Sequence, residues 1–252
     1  MPKLRIDKII SDSGAASRRE CAALIKRGAV TVDGVAVCSA SDKFDPQEVK
    51  ICVGGRVIDY KPFRYVMLNK PAGYVSATQD RRESTVMELL GEELRGFDLF
   101  PAGRLDKDAE GLLLLTNDGD YAHRVISPKK NISKLYYVTV QEPLEDRDRL
   151  AFENGIVLTD GTQCLPGELY ILSSKQGLVR IHEGKYHQVK RMLAALGKPV
   201  EYLKRLCIGG LMLDDALSPG QYRELTVDGA AAVFDKSADE CLETLLKQKL
   251  WT

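Results

Sequence analysis

The sequence predicts an α+β fold, a central and mainly antiparallel sheet flanked by helices, preceded by a small helical and hairpin module. Three observations carry this expectation. The first sixty residues place two short helical patterns before a two-residue hairpin signal at Asp33-Gly34. Four successive leucines, Leu112 to Leu115, stopped by Asn117-Asp118-Gly119, have the length and uniform apolarity of a strand buried on both faces. Strand-like stretches rich in β-branched and aromatic residues then recur beyond Lys134.

With 252 residues the chain has room for a small domain and a larger one. Apolar residues make up 44% and charged residues 29%, enough for a core and a solvated surface. No run of about 18 apolar residues exists, and Met1-Pro2-Lys3-Leu4-Arg5 lacks the apolar stretch of a secretory signal. No membrane role is expected, and a cytoplasmic location is. The six cysteines lie far apart without a Cys-x-x-Cys pair, and only three histidines are present. Zinc ligation and a disulfide framework are therefore not expected, and a reducing compartment fits.

The formal net charge is +0, but the charge is unevenly placed. Residues 1–30 carry seven basic groups against three acidic, and residues 180–205 carry seven against two, whereas residues 214–252 hold eight acidic groups against four basic. Two separated basic segments in a neutral chain point to a local footprint for a polyanion. One such block alone would read as a solvated face.

Ile6, Ile9 and Ile10 have helical spacing, and Gly14 ends that helix. Ser17 with Glu20 three residues later is a capping-box pattern for a second helix that stops at Gly28. Val30–Val32 and Val35–Val37 flank the hairpin turn. Arg18, Arg19, Lys26 and Arg27 crowd the second helix, and this stretch has no aromatic side chain to stack on unpaired bases. Shape and backbone recognition of folded RNA is the better reading.

A strand at Val49–Val53 leads to a boundary near Tyr60-Lys61-Pro62, dividing the chain into residues 1–60 and 61–252. A strand over Tyr65–Asn69 breaks at Lys70-Pro71-Ala72-Gly73, a polar loop follows, and a helix is expected over 85–94. After the leucine strand, a helix over 120–126 stops before Pro128. Further strands are expected at Lys134–Val140, Ile156–Leu158, Glu168–Leu172 and Leu178–Ile181. Glu183-Gly184 turns the last into a helix starting near Lys185, with Val189, Met192, Leu193 and Leu196 on one face and Lys190 and Arg191 off it. A strand and turn through Tyr202–Leu211 and an amphipathic helix over 237–250 complete the chain.

Gly103-Arg104-Leu105-Asp106 enters the leucine strand, so a carboxylate sits on a loop fixed to a buried platform. Taken locally, Asp106 reads as a turn former. The larger domain has no Gly-x-Ser-x-Gly elbow, no phosphate-binding glycine loop and no dinucleotide fingerprint. It supplies a loop carboxylate, an aromatic strand and a cation held on a packed helix. A lone aspartate without metal or cofactor can act as nucleophile or base on a bound base or sugar.

Arg5-Ile6-Asp7-Lys8, Gly14, Ser17-Arg18-Arg19-Glu20 and Val30-Thr31-Val32-Asp33-Gly34 resemble the small RNA-binding fold named after ribosomal protein S-four. Leu68-Asn69-Lys70-Pro71-x-Gly73, Gly103-Arg104-Leu105-Asp106 with Gly111-Leu112-Leu113, Lys134-x-Tyr136-x-Val138 and Glu183-Gly184-Lys185-x-x-Gln188-Val189-Lys190-Arg191-Met192 together resemble the RNA pseudouridine synthases. The matching branch modifies single uridines in bacterial ribosomal RNA and carries the S-four-like module in front. The resemblance runs from Arg5 to the neighbourhood of Leu225.

This resemblance implies that Asp106 is the catalytic aspartate, that Tyr136 packs against the target base, that Lys190 pairs with the aspartate, and that Arg104 helps hold the flipped nucleotide. Lys190 stands where some relatives have arginine. No cofactor is implied. Lys185-Tyr186-His187-Gln188 resembles the small-subunit type, as do Ala122-His123-Arg124 and Ser127-Pro128-Lys129, whereas large-subunit relatives usually have Asn-Arg at the Tyr186-His187 positions. Lys185, His187 and Arg191 are expected to meet RNA beside the target. The implied reaction is isomerisation of one uridine in small-subunit ribosomal RNA, by a monomer acting on an assembling particle. A large-subunit substrate and a non-catalytic assembly protein are the alternatives; intact Asp106, Tyr136 and Lys190 speak against the second.

Overall fold

The computed structural model describes residues 3–58, 60–235 and 238–248. The chain divides into two units, Met1–Arg64 with Leu90–Leu99, and Tyr65–Leu89 with Phe100–Thr252.

In the first unit, β1 (Leu4–Arg5) leads into α1 (Ile6–Asp12), which buries Ile6, Ile9 and Ile10. α2 (Arg18–Lys26) opens on the capping box: Ser17 Oγ accepts from the Glu20 N–H, and the Glu20 carboxylate accepts from the Ser17 N–H at 2.9 Å. Two N–H groups that a helix start leaves open are thereby satisfied. Cys21 and Ile25 face inward, while Arg18, Arg19, Lys26 and Arg27 are exposed. β2 (Val30–Val32) and β3 (Val35–Ala36) form the hairpin, with Asp33 and Gly34 at the positive φ its turn requires. β4 (Lys43–Phe44) pairs with β1, and β5 (Ile51–Val53) and β6 (Arg56–Val57) extend the hairpin into a sheet ordered β3-β2-β5-β6. The α1 isoleucines pack with Cys21, Ile25, Val30 and Ile51 in one core. The unit also contains α3 (Glu92–Arg95) with buried Leu94 and Phe97, and the Arg64 guanidinium lies 3.8 Å over the Phe97 ring. The helix expected over 85–94 is thus two pieces, a 3-10 turn at Val86–Leu89 and α3. Gly91, extended at ψ 169°, interrupts them.

The second unit is built on a nine-stranded sheet. Its strands are β7 (Tyr65–Lys70), β8 (Phe100–Pro101), β9 (Glu110–Thr116), β10 (Lys134–Val140), β11 (Glu168–Ser173), β12 (Gln176–Ile181), β13 (Val200–Ile208), β14 (Leu211–Met212) and β15 (Tyr222–Leu225). The order is β11-β12-β10-β13-β9-β7-β15, with β14 on β13 and β8 on β9. Only β9 and β13 pair in parallel among the described strands. β9 lies inside the sheet, so Leu112 to Leu115 are all buried, as uninterrupted apolarity requires.

α4 (Gly119–Ile126) is capped by the Asp118 carboxylate, which accepts from the Tyr121 N–H at 3.0 Å. Asn117-Asp118-Gly119 therefore starts a helix directly after β9. Tyr121, Ala122 and Val125 pack onto Leu112 and Leu114. α5 (Asp146–Asn154) has no counterpart in the sequence expectations, and Ile156–Leu158 is not a strand but makes one isolated bridge, Val157 to Gln163. α6 (Gln188–Ala195) starts three residues later than expected, because Lys185–His187 form a turn with His187 at φ 48°. α7 (Val227–Ala231) follows β15, and α8 (Ala238–Gln248) packs Cys241, Leu242 and Leu245 with Leu135, Tyr137 and Leu178. The remainder of the helix expected over 237–250 lies outside the described residues.

Candidate active site

A cavity of about 710 Å³ opens in the second unit where the loop before β9 faces the start of α6. Arg104, Asp106 and Lys107 line one side and Gly184 to Val189 another; Lys134 and Tyr136 of β10 and Leu203 and Arg205 of β13 also line it.

The Asp106 loop is fixed through its backbone by three side chains distant in sequence. Lys70 at the end of β7 is 0% exposed, and its Nζ donates to the carbonyls of Pro71 (2.9 Å), Lys107 (3.2 Å) and Ala109 (2.8 Å). Burial pushes Lys70 down to about 8, with Asp106, Asp108 and Glu110 opposing that fall. Ser76 Oγ donates to the Leu105 carbonyl at 2.8 Å and accepts from the Leu105 N–H at 3.0 Å. Arg205 Nε donates to the Leu112 carbonyl at 2.8 Å, and Nη1 to that of Arg104 at 3.3 Å. Gly111, paired with Arg205 across the parallel strands, has φ +101°, and a Cβ there would lie 2.2 Å from the Arg205 carbonyl oxygen. Only glycine permits that approach.

On this loop the Asp106 side chain is partly buried. Its Oδ1 lies 3.6 Å from His187 Nε2 and its Oδ2 lies 3.8 Å from Lys190 Nζ. Lys190 has a shorter partner, Asp108 Oδ1 at 2.5 Å. Hydrogen bonding from Lys190 holds the Asp108 carboxyl below its ordinary range. Lys190 thus stands between two carboxylates, with the closer contact to the one that the sequence did not single out. His187 reaches Asp106 from a left-handed backbone, a conformation costly outside glycine and concentrated at functional sites. Its ring stacks on Tyr186 with centroids 3.8 Å apart and planes 19° apart, and Tyr186 is 72% exposed.

The turn carrying these residues is anchored. Gln188 accepts from the Lys185 N–H at 2.9 Å and donates to Glu183 at 2.6 Å, and Glu183 also pairs with Lys185. Arg191 donates to the Tyr186 carbonyl at 3.3 Å and pairs with Asp160 at 2.5 Å. Tyr136 is buried, and Arg104 extends exposed at the cavity.

The structure brings Asp106, Tyr136, Lys185, His187 and Arg104 to one cavity, with Lys190 against Asp106 and Arg191 bracing the turn. Arg18, Arg19, Lys26 and Arg27 belong to the first unit. Sequence reasoning gave no separate role to Lys70, Lys134, Asp108, Ser76 or Arg205. Lys70 and Lys134 lie within quoted motifs and Arg205 within the counted basic block, but Ser76 carries no local signal.

A carboxylate, a buried aromatic side chain and cations around a nucleotide-sized cavity describe an enzyme working on a nucleoside held within a nucleic acid. Comparison with known proteins specifies the class. The model of the RNA pseudouridylate synthase family matches residues 64–195, and that of the S4 domain matches residues 4–50. An uncharacterised RNA pseudouridine synthase of Bacillus subtilis is 46% identical over 227 residues, covering 88% of this chain and 95% of the relative. The ribosomal small subunit pseudouridine synthase A of Escherichia coli K12 is 40% identical over 231 residues, covering 91% of this chain and 100% of the relative. A solved pseudouridylate synthase superposes with a TM-score of 0.65 at 38% identity, covering 91% of this chain and 99% of that one. The chain belongs to the RNA pseudouridylate synthase family and carries an S4 domain at its amino-terminal end. It is an RNA pseudouridine synthase.

Proposed function

We propose that the protein isomerises one uridine of small-subunit ribosomal RNA, with Asp106 as the catalytic carboxylate. The observation that carries the reading is the clamped loop that holds Asp106 at the cavity, with Tyr136 in its lining and His187 and Lys190 near its two oxygens. Pseudouridylation breaks the C1′–N1 bond and rejoins uracil through C5. The target must leave its stack, and the detached base must be kept from water until it turns. In this reading Tyr136 packs against the uracil ring, Arg104 holds the flipped nucleotide, and Lys190 keeps a positive charge beside Asp106. Lys185, His187 and Arg191 meet flanking RNA. Residues 1–60 form the docking domain, with Arg18, Arg19, Lys26 and Arg27 contacting phosphates, and residues 61–252 the catalytic domain.

The small-subunit assignment is supported by the E. coli relative named above, by a Vibrio cholerae relative of the same name at 42% identity, and by Lys185-Tyr186-His187-Gln188. An assembling particle is the proposed substrate form, a monomer the proposed active form, and the cytoplasm the proposed location; no described helix is long and apolar enough to cross a membrane. Asp106→Asn is the direct test of the chemistry. It removes charge and nucleophilicity at constant shape, so single-turnover pseudouridine formation should vanish while the thermal melt and RNA affinity stay close to wild type. Measurable turnover in the pure variant contradicts the assignment.

A further inference from the structure

Besides the exposed Arg104, two cations line the reaction cavity without a carboxylate to answer them. Lys134, at the start of β10, and Arg205, on β13, both border it beside Tyr136, whose backbone pairs with that of Arg205. Lys134 Nζ donates to the Ile132 carbonyl at 2.8 Å. Arg205 is 5% exposed; its Nε and Nη1 go to carbonyl oxygens, and its buried Nη2 has no hydrogen-bond partner. Among the described residues neither cation has an acidic group within ion-pair distance. Burial, reinforced by Arg205, pushes Lys134 down to about 8. By contrast, Lys185, Lys190 and Arg191 already hold Glu183, Asp108 and Asp160. Buried positive charge without a partner is costly, and an anion arriving in the cavity relieves that cost.

The geometry points to Lys134, backed by the field of Arg205, as a catalytic residue that stabilises the detached uracil as its anion. This rests on the reading that Asp106 reacts at the sugar. When C1′–N1 breaks, both bonding electrons stay with the ring, shared among N1, O2 and O4. Asp106 answers the deficiency at C1′, by bonding to it or by accepting the C2′ proton. After the ring turns, C5 bonds to C1′ and Asp106 leaves C1′ or returns its proton. C5 then loses a proton and N1 gains one, so the product is an isomer of the substrate. Negative charge exists on the ring only between cleavage and rejoining, so donors placed to meet it raise kcat without tightening RNA binding. A backbone phosphate is charged throughout, and a contact to it would act on affinity instead.

Lys134→Met and Lys134→Arg test this against the wild-type chain, in single-turnover assays on ribosomal RNA transcribed with uridine or with 5-fluorouridine. Fluorine at C5 makes the ring anion more stable, so that substrate needs less help in leaving. Because its C5 has no proton to lose, the rate compared on both substrates is that of C1′–N1 cleavage, read as loss of the N-linked nucleoside. Lys134→Met should lose about 10²–10³-fold in rate on uridine, the usual effect of deleting a transition-state donor, and roughly tenfold less than that on 5-fluorouridine. Its RNA Kd and thermal melt should match wild type, and Lys134→Arg should recover most of the rate. Equal losses on both substrates, a loss carried by Kd, or no loss at all overturns the role of Lys134. Pseudouridine formed by Asp106→Asn in the same assay overturns the underlying reading instead.

Discussion

Lys190 lies 2.5 Å from Asp108 and 3.8 Å from Asp106, so proximity alone would assign it to Asp108 and not to the proposed catalytic carboxylate. Asp108 is largely exposed, and an ion pair of that kind contributes little to stability because solvent screens it and two long side chains must be ordered. We therefore expect Asp108→Asn to change single-turnover rate by only about two- to fivefold, whereas Lys190→Met, which strips charge from beside the proposed catalytic carboxylate, should cost about 10²-fold. Comparable losses in the two variants would place Asp108 in the chemistry. At this scale the sequence was legible where a residue belonged to a motif, as with Asp106, Tyr136 and Lys190. It was silent on Ser76 and on the task of Arg205, because their bonds to Leu105 and Arg104 span 29 and 101 positions and leave no local pattern.

At the scale of elements, the close approach of β9 to β13 fixes where Asp106 enters the cavity. The approach depends on Gly111, whose φ and lack of a Cβ are both required. Gly111→Ala should destabilise the fold by roughly 2–4 kcal/mol, since it combines backbone strain with a clash against main chain that has little room to yield. Urea denaturation reads this directly, and an unchanged midpoint would show that β13 can move aside. The strands and caps were readable because each has a local cause: the apolar run of β9, the capping box at Ser17 and the Asp33-Gly34 turn. α5 was not readable, for it is polar along most of its length and buries only Asp148 and Phe152. The apolar spacing over 85–94 suggested one helix, but Gly91 divides it between two packing environments. The start of α6 was misjudged because His187 adopts a left-handed backbone that no pattern of apolar residues announces.

For the whole molecule, a net charge of +0 conceals the exposed basic face of α2, which is the proposed docking surface. Removing residues 1–60 is a poor test of it, because buried Leu94 and Phe97 belong to the first unit and would lose their packing partners. Changing Arg18, Arg19, Lys26 and Arg27 together to Gln leaves that core intact. If all four meet phosphates, the slope of log affinity against log salt should flatten by about 3. An unchanged slope would mean that RNA docks elsewhere.

The most direct test of the central claim is to incubate the purified protein separately with small-subunit and large-subunit ribosomal RNA and with their precursor particles, then map pseudouridine in each. One new pseudouridine is expected, in small-subunit RNA alone, formed more readily in the precursor particle and absent with Asp106→Asn. Product confined to large-subunit RNA, or product that persists with Asp106→Asn, would contradict it.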